Sequence, residues 1–158
     1  MKKYLPGLLI IIPAVFLFKM IFFGEIITTN DELARHPINQ WTETYLHENK
    51  GMPQWYPNLF SGMPSYGGYI YMTGDPTKSI RNTILFNPGL KIWFFLSLAG
   101  FGIFFIMKLL GASTISSVIS GLMTSLTPYH FGLINAGHLT KIFAIAYAPW
   151  VLAAVVYF

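Results

Sequence analysis

Apolar residues fall into four long runs that polar segments separate. The first run covers residues 4–27, the second 89–110, the third 114–129, and the fourth begins near residue 142 and continues to 158. A helix that crosses the ~30 Å hydrocarbon core of a bilayer needs about 20 mainly apolar residues. The pattern therefore predicts an all-α, polytopic membrane protein with about four transmembrane helices.

Two of these runs have features of their own. Pro13 stands in the middle of the first run and removes one backbone hydrogen bond, which predicts a kinked helix. The third run is the least apolar and carries small and hydroxyl residues: Ser116, Ser117, Ser120, Gly121 and Ser125. Small residues allow helix backbones to approach closely in a membrane, so we expect the third run to pack inside a bundle.

The basic residues predict the orientation of the bundle. Lys2 and Lys3 precede the first run, and Lys108 closes the second. By the positive-inside rule these ends face the cytoplasm. The loop 28–88 and the shorter segment 130–141 are then both extracytoplasmic, and the amino terminus is cytoplasmic.

The long loop 28–88 contains a second type of pattern. Pro37 is typical of a first helical turn, and an apolar stripe at helical spacing follows it, formed by Ile38, Trp41, Tyr45 and Leu46. This predicts an amphipathic helix over 37–49 that lies flat in the headgroup layer. The rest of the loop is rich in Pro, Gly and aromatic residues and predicts an ordered series of turns.

The composition supports a membrane location and excludes several function classes. Hydrophobic residues make up 54% of the chain and charged residues 10%, whereas soluble domains carry about 25% charged residues. The net charge of +4 comes from scattered basic residues, so we expect no nucleic-acid partner. The chain has no cysteine, which excludes thiol chemistry. Its last apolar run is still in progress at Phe158, which predicts a longer parent protein.

Asp31 and Glu32 are the first candidate catalytic residues. They follow the first apolar run directly, inside the stretch TTNDELARHP. They can be an exposed acidic pair where the chain leaves the bilayer. They can also supply a general base, which requires a carboxylate in a partly dry cleft.

His130, His138 and Lys141 form a second group, in the predicted extracytoplasmic segment. Aromatic and basic groups often mark the membrane interface at a helix end, which is one interpretation. The other is a cationic cluster that holds a phosphate, with Lys141 as a point charge. Two histidines eight residues apart have no specific metal-ligand spacing, so no metal site is predicted.

The stretch WYPNLFSGMPS begins at Trp55, and Tyr66 follows it. It can be an interfacial turn that packs on its own aromatic rings. It can also be a platform for a sugar, because aromatic rings cover the apolar faces of sugar rings. Arg81 is a further candidate for the same cleft. No phosphate-binding loop, dinucleotide-binding glycine pattern or nucleophile elbow is present.

Two of these stretches resemble one family. W-x-P-x-x-F-x-G-x-P, here Trp55, Pro57, Phe60, Gly62 and Pro64, resembles the YfhO family of bacterial membrane proteins. The later HLTK, followed by an apolar run with A-P-W, is also similar to that family. An outer loop that opens with an acidic residue resembles the type C glycosyltransferase superfamily more broadly.

The resemblance implies a glycosyltransferase of the bacterial cytoplasmic membrane. Its donor would be a sugar on a polyprenyl phosphate, and its acceptor an extracytoplasmic glycan or a polymer like teichoic acid. Asp31 would take a proton from the acceptor hydroxyl, with Glu32 beside it, and the cationic group would stabilise the departing lipid phosphate. The resemblance implies no organic cofactor and leaves a divalent metal open.

Two other function classes remain as alternatives. A fragment of a transporter would have ionisable groups inside the bundle, and the apolar runs carry few. A non-catalytic membrane scaffold would use the outer loop 28–88 to bind a partner.

Overall fold

A computed structural model describes residues 2–25, 30–49, 51–65 and 82–158, without the side chains of residues 2, 3, 30–32 and 35. The chain divides into two compact units, which are described separately below. Unit 1 comprises residues 1–27 and 85–158, and unit 2 comprises residues 28–84.

The described part of the chain is mainly helical, which confirms the predicted class in its coarse form. A 3-10 helix, Lys2–Gly7, leads into the α-helices and a two-stranded hairpin. In chain order these are α1 (Leu8–Phe16), α2 (Phe18–Phe22), α3 (Asn30–Glu48), β1 (Trp55–Tyr56), β2 (Met63–Pro64), α4 (Pro88–Leu109), α5 (Thr114–Ser125), α6 (Pro128–Ala136) and α7 (Leu139–Tyr157).

Two helices, α4 and α7, are long and apolar enough to cross a membrane. They have 22 and 19 residues and mean hydropathies of 2.0 and 1.8 over their most apolar windows. At ~1.5 Å per residue they are about 33 and 28 Å long, close to the ~30 Å of a hydrocarbon core. The side chain of Asn87 caps α4 by accepting a hydrogen bond from Gly89 N at 2.7 Å, and Pro88 occupies the first turn.

The first apolar run folds as successive short helices. The interruption lies at Leu17 (φ −99°, ψ 14°), one turn after Pro13, where the kink was expected. Hydrogen bonds continue across it, because Leu17 N donates to Pro13 O at 3.0 Å and Leu17 O accepts from Ile21 N at 2.9 Å. The helical path stops at Phe23, before the predicted end at residue 27, and Gly24 follows with a φ of +66°.

The third run also ends earlier than predicted. The helix α5 stops at Ser125, because Pro128 begins a new helix and the residue before a proline disfavours helical geometry. Thr127 accordingly has a ψ of 137°. With 12 residues, α5 is about 18 Å long. The segment 130–141, expected to be a polar connection, is helical as far as Ala136, and Gly137 ends α6 in the left-handed conformation (φ +82°).

The helix α4 is the centre of unit 1. It packs against α1, α2, α5 and α7. A hydrophobic core surrounds it, formed by Leu17, Ile92, Phe95, Leu96, Ala99, Leu133, Ile134, Ile142 and Ala146. Within unit 1 the third apolar run packs on α4 through α5, as its small and hydroxyl residues led us to expect.

Contacts along α4 give the direction of the first two helices. Trp93 Nε1 donates to Ile10 O at 2.9 Å, and Asn87 Nδ2 donates to Ile21 O at 3.2 Å. Higher numbers on α4 therefore face lower numbers on α1 and α2, and the helices are antiparallel. The end of α2 lies beside the beginning of α4.

The directions of α5 and α7 follow in the same way. Ser125, at the end of α5, donates to Leu96 O near the beginning of α4, so these helices are also antiparallel. In contrast, α7 is parallel to α4: the rings of Phe95 and Phe143 lie 4.2 Å apart, and Trp150 Nε1 donates to Leu98 O at 2.9 Å. We call the end of unit 1 at which α2 and α5 end and α4 and α7 begin the loop end.

In unit 2, α3 begins seven residues before the predicted start. Pro37 lies inside the helix, not in its first turn, so the predicted boundaries 37–49 are wrong at the amino-terminal side. The physical reason is at the helix start. Asp31 and Glu32 place negative charge in the first turn, which the helix dipole favours, and the sequence from Thr29 to Glu32 matches the capping-box pattern.

The apolar face of α3 packs within its own unit. The Trp41 ring makes a T-shaped contact with Tyr56 of β1, with centroids 5.6 Å apart, and a tilted contact with Tyr45 at 5.4 Å. Tyr56 is 2% exposed. Of the stripe expected to lie on the headgroup layer, Leu46 remains exposed while Ile38, Trp41 and Tyr45 are half-buried.

The stretch W-x-P-x-x-F-x-G-x-P forms the hairpin of unit 2. Trp55 pairs with Pro64 and Tyr56 with Met63. The turn uses three residues with positive φ: Phe60 (50°), Ser61 (61°) and Gly62 (112°). The Trp55 indole rests on Gly62, where a Cβ would lie 2.8 Å from Trp55 Cζ2. The spaced Trp and Gly of this stretch therefore have a direct packing role.

Candidate functional site

Lys141 and His138 lie together at the loop end of unit 1. His138 is the N-cap residue of α7, and Lys141 is exposed in its first turn. A cation near a helix amino terminus opposes the helix dipole by roughly 0.3–1 kcal/mol. Lys141 therefore does not stabilise α7 through the dipole, whereas a lysine and a helix amino terminus together suit an anion.

His130 has a different environment from the other two members of its predicted group. It lies in α6 with 2% of its surface exposed, and its Nδ1 is 3.4 Å from Ser125 O. The side chain is thus part of the packing at the end of α5. Of the predicted cationic group, Lys141 is therefore exposed and His130 is buried.

Asp31 and Glu32 occupy the first turn of α3 in unit 2. The structure does not describe their side chains, so the catalytic contacts of these two residues remain predictions. The backbone nevertheless gives both residues a structural role that the sequence interpretation omitted, because acidic residues in a first helical turn stabilise the helix. Any catalytic role must be separated from this effect.

Two other predicted site residues, Tyr66 and Arg81, lie outside the described residues. Trp55 is described and is 53% exposed. It is the only one of the three predicted loop residues whose surroundings the structure gives.

An open groove of about 640 Å³ lies beside Trp55 in unit 2, between the carboxyl-terminal half of α3 and the hairpin. We call it the aromatic groove. Its lining includes Trp41, Tyr45, Trp55, Asn49 and Gln54. The sequence analysis missed four of these five residues. It assigned Trp41 and Tyr45 to a membrane-facing stripe and gave no role to Asn49 or Gln54. Gly51 was the available signal in the sequence, because a turn there could have indicated that Gln54 returns toward α3.

A smaller apolar groove of about 200 Å³ adjoins it on the other side of Trp41, with Ile38, Tyr56 and Leu59 in its lining. Tyr56 Oη is buried and has no hydrogen-bond partner in the described part of the chain. A buried hydroxyl without a partner is unfavourable by roughly 1–3 kcal/mol.

Among the side chains that the structure describes, which exclude those of Asp31 and Glu32, no three His, Asp or Glu residues are placed to hold a metal ion. The salt bridge between Lys19 and Glu25 spans 4.0 Å between two exposed side chains, and exposed pairs of this kind contribute little to stability.

The chain was compared with protein-family models, with curated proteins and with solved structures, and none of the three comparisons finds a match.

Proposed function

We propose that the protein is a polytopic glycosyltransferase of the bacterial cytoplasmic membrane, with four spans and a cytoplasmic amino terminus. It transfers a sugar from a polyprenyl-phosphate donor to an extracytoplasmic glycan or a polymer like teichoic acid. The observation that carries the proposal is the convergence at the loop end of unit 1. The chain leaves this unit after α2 and returns to it before α4 at the same end where His138 and Lys141 begin α7.

This arrangement supports the proposed topology. The first helical path ends at the loop end, α4 leaves it, α5 returns to it and α7 leaves it again, as four alternating crossings require. The helix α5 is short for a span, and α6 adds a further nine residues to the same apolar region. With Lys2, Lys3 and Lys108 on the cytoplasmic side, the loop end is extracytoplasmic.

The proposed reaction is a displacement at the anomeric carbon of the donor sugar. The acceptor hydroxyl forms the new glycosidic bond while Asp31 takes its proton, and the bond to the lipid phosphate breaks with its electron pair on the phosphate oxygen. Lys141 and His138 stabilise the phosphate as it departs. Electrostatic stabilisation of developing charge is commonly the largest contribution to catalysis, and a positioned general base adds roughly 10²–10⁴-fold.

The test compares Asp31→Asn with Glu32→Gln in the same transfer assay, with polyprenyl-phosphate sugars in membranes. Each change removes one charge from the first turn of α3, so a purely structural role predicts two similar and small effects. The proposal predicts a loss of about 10²-fold or more for Asp31→Asn and a smaller loss for Glu32→Gln. Equal, minor losses with normal insertion would remove Asp31 from the mechanism.

The cationic role has its own test. Lys141→Gln should weaken binding of the polyprenyl-phosphate donor, measured as a raised KM for the donor. Lys108→Gln is the matched control, because Lys108 is also a lysine near a helix end, and its Nζ donates to Ala112 O at the opposite end of α4. Equal changes in both variants would exclude a specific phosphate contact at Lys141.

A transporter or a scaffold is the alternative proposal, and no specific observation favours either. In the described part of unit 1, the buried polar side chains are Ser97, Ser117, Ser125 and His130. Transport pathways usually place ionisable groups inside the bundle, and His130 is the one such residue in this set.

A further inference from the structure

The described lining of the aromatic groove combines aromatic and amide residues. It contains three aromatic residues, two residues with side-chain amides and no charged residue. A phosphate would require a cation or a set of backbone N–H donors. An apolar ligand would leave the amides without partners. The lining therefore fits a neutral ligand with both apolar faces and polar edges.

The Trp55 indole is held in place on one side and open on the other. Three of its atoms, Cζ2, Nε1 and Cε2, lie 2.8–3.1 Å from the position that a Cβ on Gly62 would occupy. Even so, 53% of Trp55 is exposed. Exposing a large apolar ring is unfavourable, and a ring fixed before binding loses little entropy when a ligand covers it.

Trp41 also lines the groove, and its ring is packed against other parts of unit 2. Its ring lies against Tyr45 on α3 and against the buried Tyr56 of β1. The groove thus has two packed indole rings in its lining, one carried by a helix and one by a hairpin. An open groove lined by packed aromatic rings is suited to flat, ring-shaped ligands.

Two residues with side-chain amides, Asn49 and Gln54, also line the groove. Asn49 uses its Nδ2 for a hydrogen bond to Tyr45 O at 3.1 Å, which holds the side chain at the end of α3. Gln54 is exposed, and its backbone carbonyl accepts from Ser65 N at 2.9 Å, which fixes the backbone beside β1. An amide both donates and accepts, as the hydroxyl groups of a polyol do.

We infer that the aromatic groove binds a neutral carbohydrate, with a sugar ring stacked on Trp55 and its hydroxyl groups bonded to Asn49 and Gln54. The C–H groups on the face of a sugar ring carry partial positive charge and are attracted to the negative face of an indole. Resting on the proposed function, this carbohydrate is the acceptor glycan. Binding itself does not depend on that function.

The test is a direct binding measurement on the full chain in lipid nanodiscs. Detergents with maltoside or glucoside headgroups are avoided, because their headgroups are themselves sugars. Cellotriose, maltotriose and the trimer of N-acetylglucosamine are titrated separately and followed by saturation-transfer NMR. We expect at least one of them to bind with a Kd on the order of 1 mM, and Trp55→Ala to weaken this binding by about 10-fold through loss of the stacked ring.

Two further variants keep the test independent of folding. Gln54→Leu gives a side chain of similar volume but removes its hydrogen bonds, and should weaken binding several-fold. Phe60→Ala is the matched control: Phe60 is an aromatic residue of the same hairpin, 83% exposed, and does not line the groove. It should leave the Kd unchanged.

Three results would overturn the inference. The first is that none of the three oligosaccharides binds, and the second is that Phe60→Ala and Trp55→Ala weaken binding equally. The third is that choline binds in place of sugar, because an aromatic cage can also hold a quaternary ammonium. The proposed function fails separately: sugar binding that persists without any transfer activity would leave a carbohydrate-binding protein that is not an enzyme.

Discussion

Ser125 on α5 donates a hydrogen bond to Leu96 O on α4, and the two atoms lie 2.9 Å apart. Ser125 is completely buried, and Gly121 O is a second acceptor at 3.1 Å. Gly100 of α4 faces both residues, and a Cβ on Gly100 would contact the Ser125 hydroxyl and lie 2.9 Å from Gly121 O. A small-residue contact and a buried hydrogen bond thus hold α4 and α5 together.

The first prediction concerns Gly100→Ala. Because the added methyl group would meet backbone on α5, we expect a loss of about 1–3 kcal/mol in the free energy of unfolding. The measurement is denaturation in mixed micelles followed by circular dichroism. Gly132→Ala is the control, since Gly132 is helical and has open space around it. It should gain up to ~1 kcal/mol from helix propensity, so equal effects of the two changes would contradict the packing described.

The second prediction concerns the hydroxyl group itself. Ser125→Ala removes the hydrogen bond to Leu96 O and should lower the free energy of unfolding by about 0.5–1.5 kcal/mol. The same change removes one atom that opposes a methyl group at Gly100. In a double-mutant cycle with Gly100→Ala, we therefore expect the combined loss to be smaller than the sum. Strict additivity would show that the two side chains do not meet.

The third prediction concerns Trp150 on α7. Trp150→Phe loses the hydrogen bond from Nε1 to Leu98 O but can retain stacking on Phe105, whose ring centroid lies 6.1 Å away. We expect a loss of about 1 kcal/mol in the free energy of unfolding, measured as above. Tyr157→Phe also removes one polar atom from an aromatic ring of α7, at a residue that is 67% exposed, and should have little effect.

The fourth prediction separates the cost of a positive φ from the cost of a steric clash at two glycines of unit 2. Gly51 and Gly62 both have positive φ, 141° and 112°, but only Gly62 has a neighbour, Trp55, within 4 Å of an added Cβ. Gly62→Ala should therefore open the hairpin more than Gly51→Ala does. The measurement is amide hydrogen exchange at Gln54–Ser65, and similar exchange in the two variants would show that the indole does not rest on Gly62.

The fifth prediction concerns the proposed topology. The chain has no cysteine, so single cysteines can replace exposed residues and be labelled from either side of intact membranes. Asn58→Cys and Asn135→Cys should react with an impermeant maleimide from the outside, and Leu110→Cys only after permeabilisation. Labelling of Asn58→Cys and Asn135→Cys from opposite sides would contradict the convergence on which the proposed function depends.

The long apolar runs were enough to predict α4 and α7. Their predicted boundaries differ from the observed ones by one to three residues, because a run of about 20 apolar residues leaves few alternatives to a helix. The third run was harder, since its apolar character continues to Tyr129 although the helix stops at Ser125. Pro128 carried the missing signal: it is typical of a first helical turn, and the sequence analysis applied that rule to Pro37 instead.

At Pro37 the same rule led to the wrong helix start. The local preference of proline for a first turn competes there with the acidic residues of the NDEL stretch, and the longer helix prevails. The packing of Trp41 on Tyr56 was beyond the sequence analysis for a different reason. An apolar stripe shows that a helix face will be covered, but not whether lipid or another part of the chain covers it.

Asn87 has a consequence for the two helices of unit 1 that precede and follow residues 28–84. Its side chain accepts a hydrogen bond from Gly89 N, which caps α4, and donates one to Ile21 O in the last turn of α2. Unit 1 itself therefore holds the end of α2 beside the beginning of α4. The register of α2 against α4 is thus determined by contacts inside unit 1. A change in the length of the intervening segment should therefore leave this register unaltered.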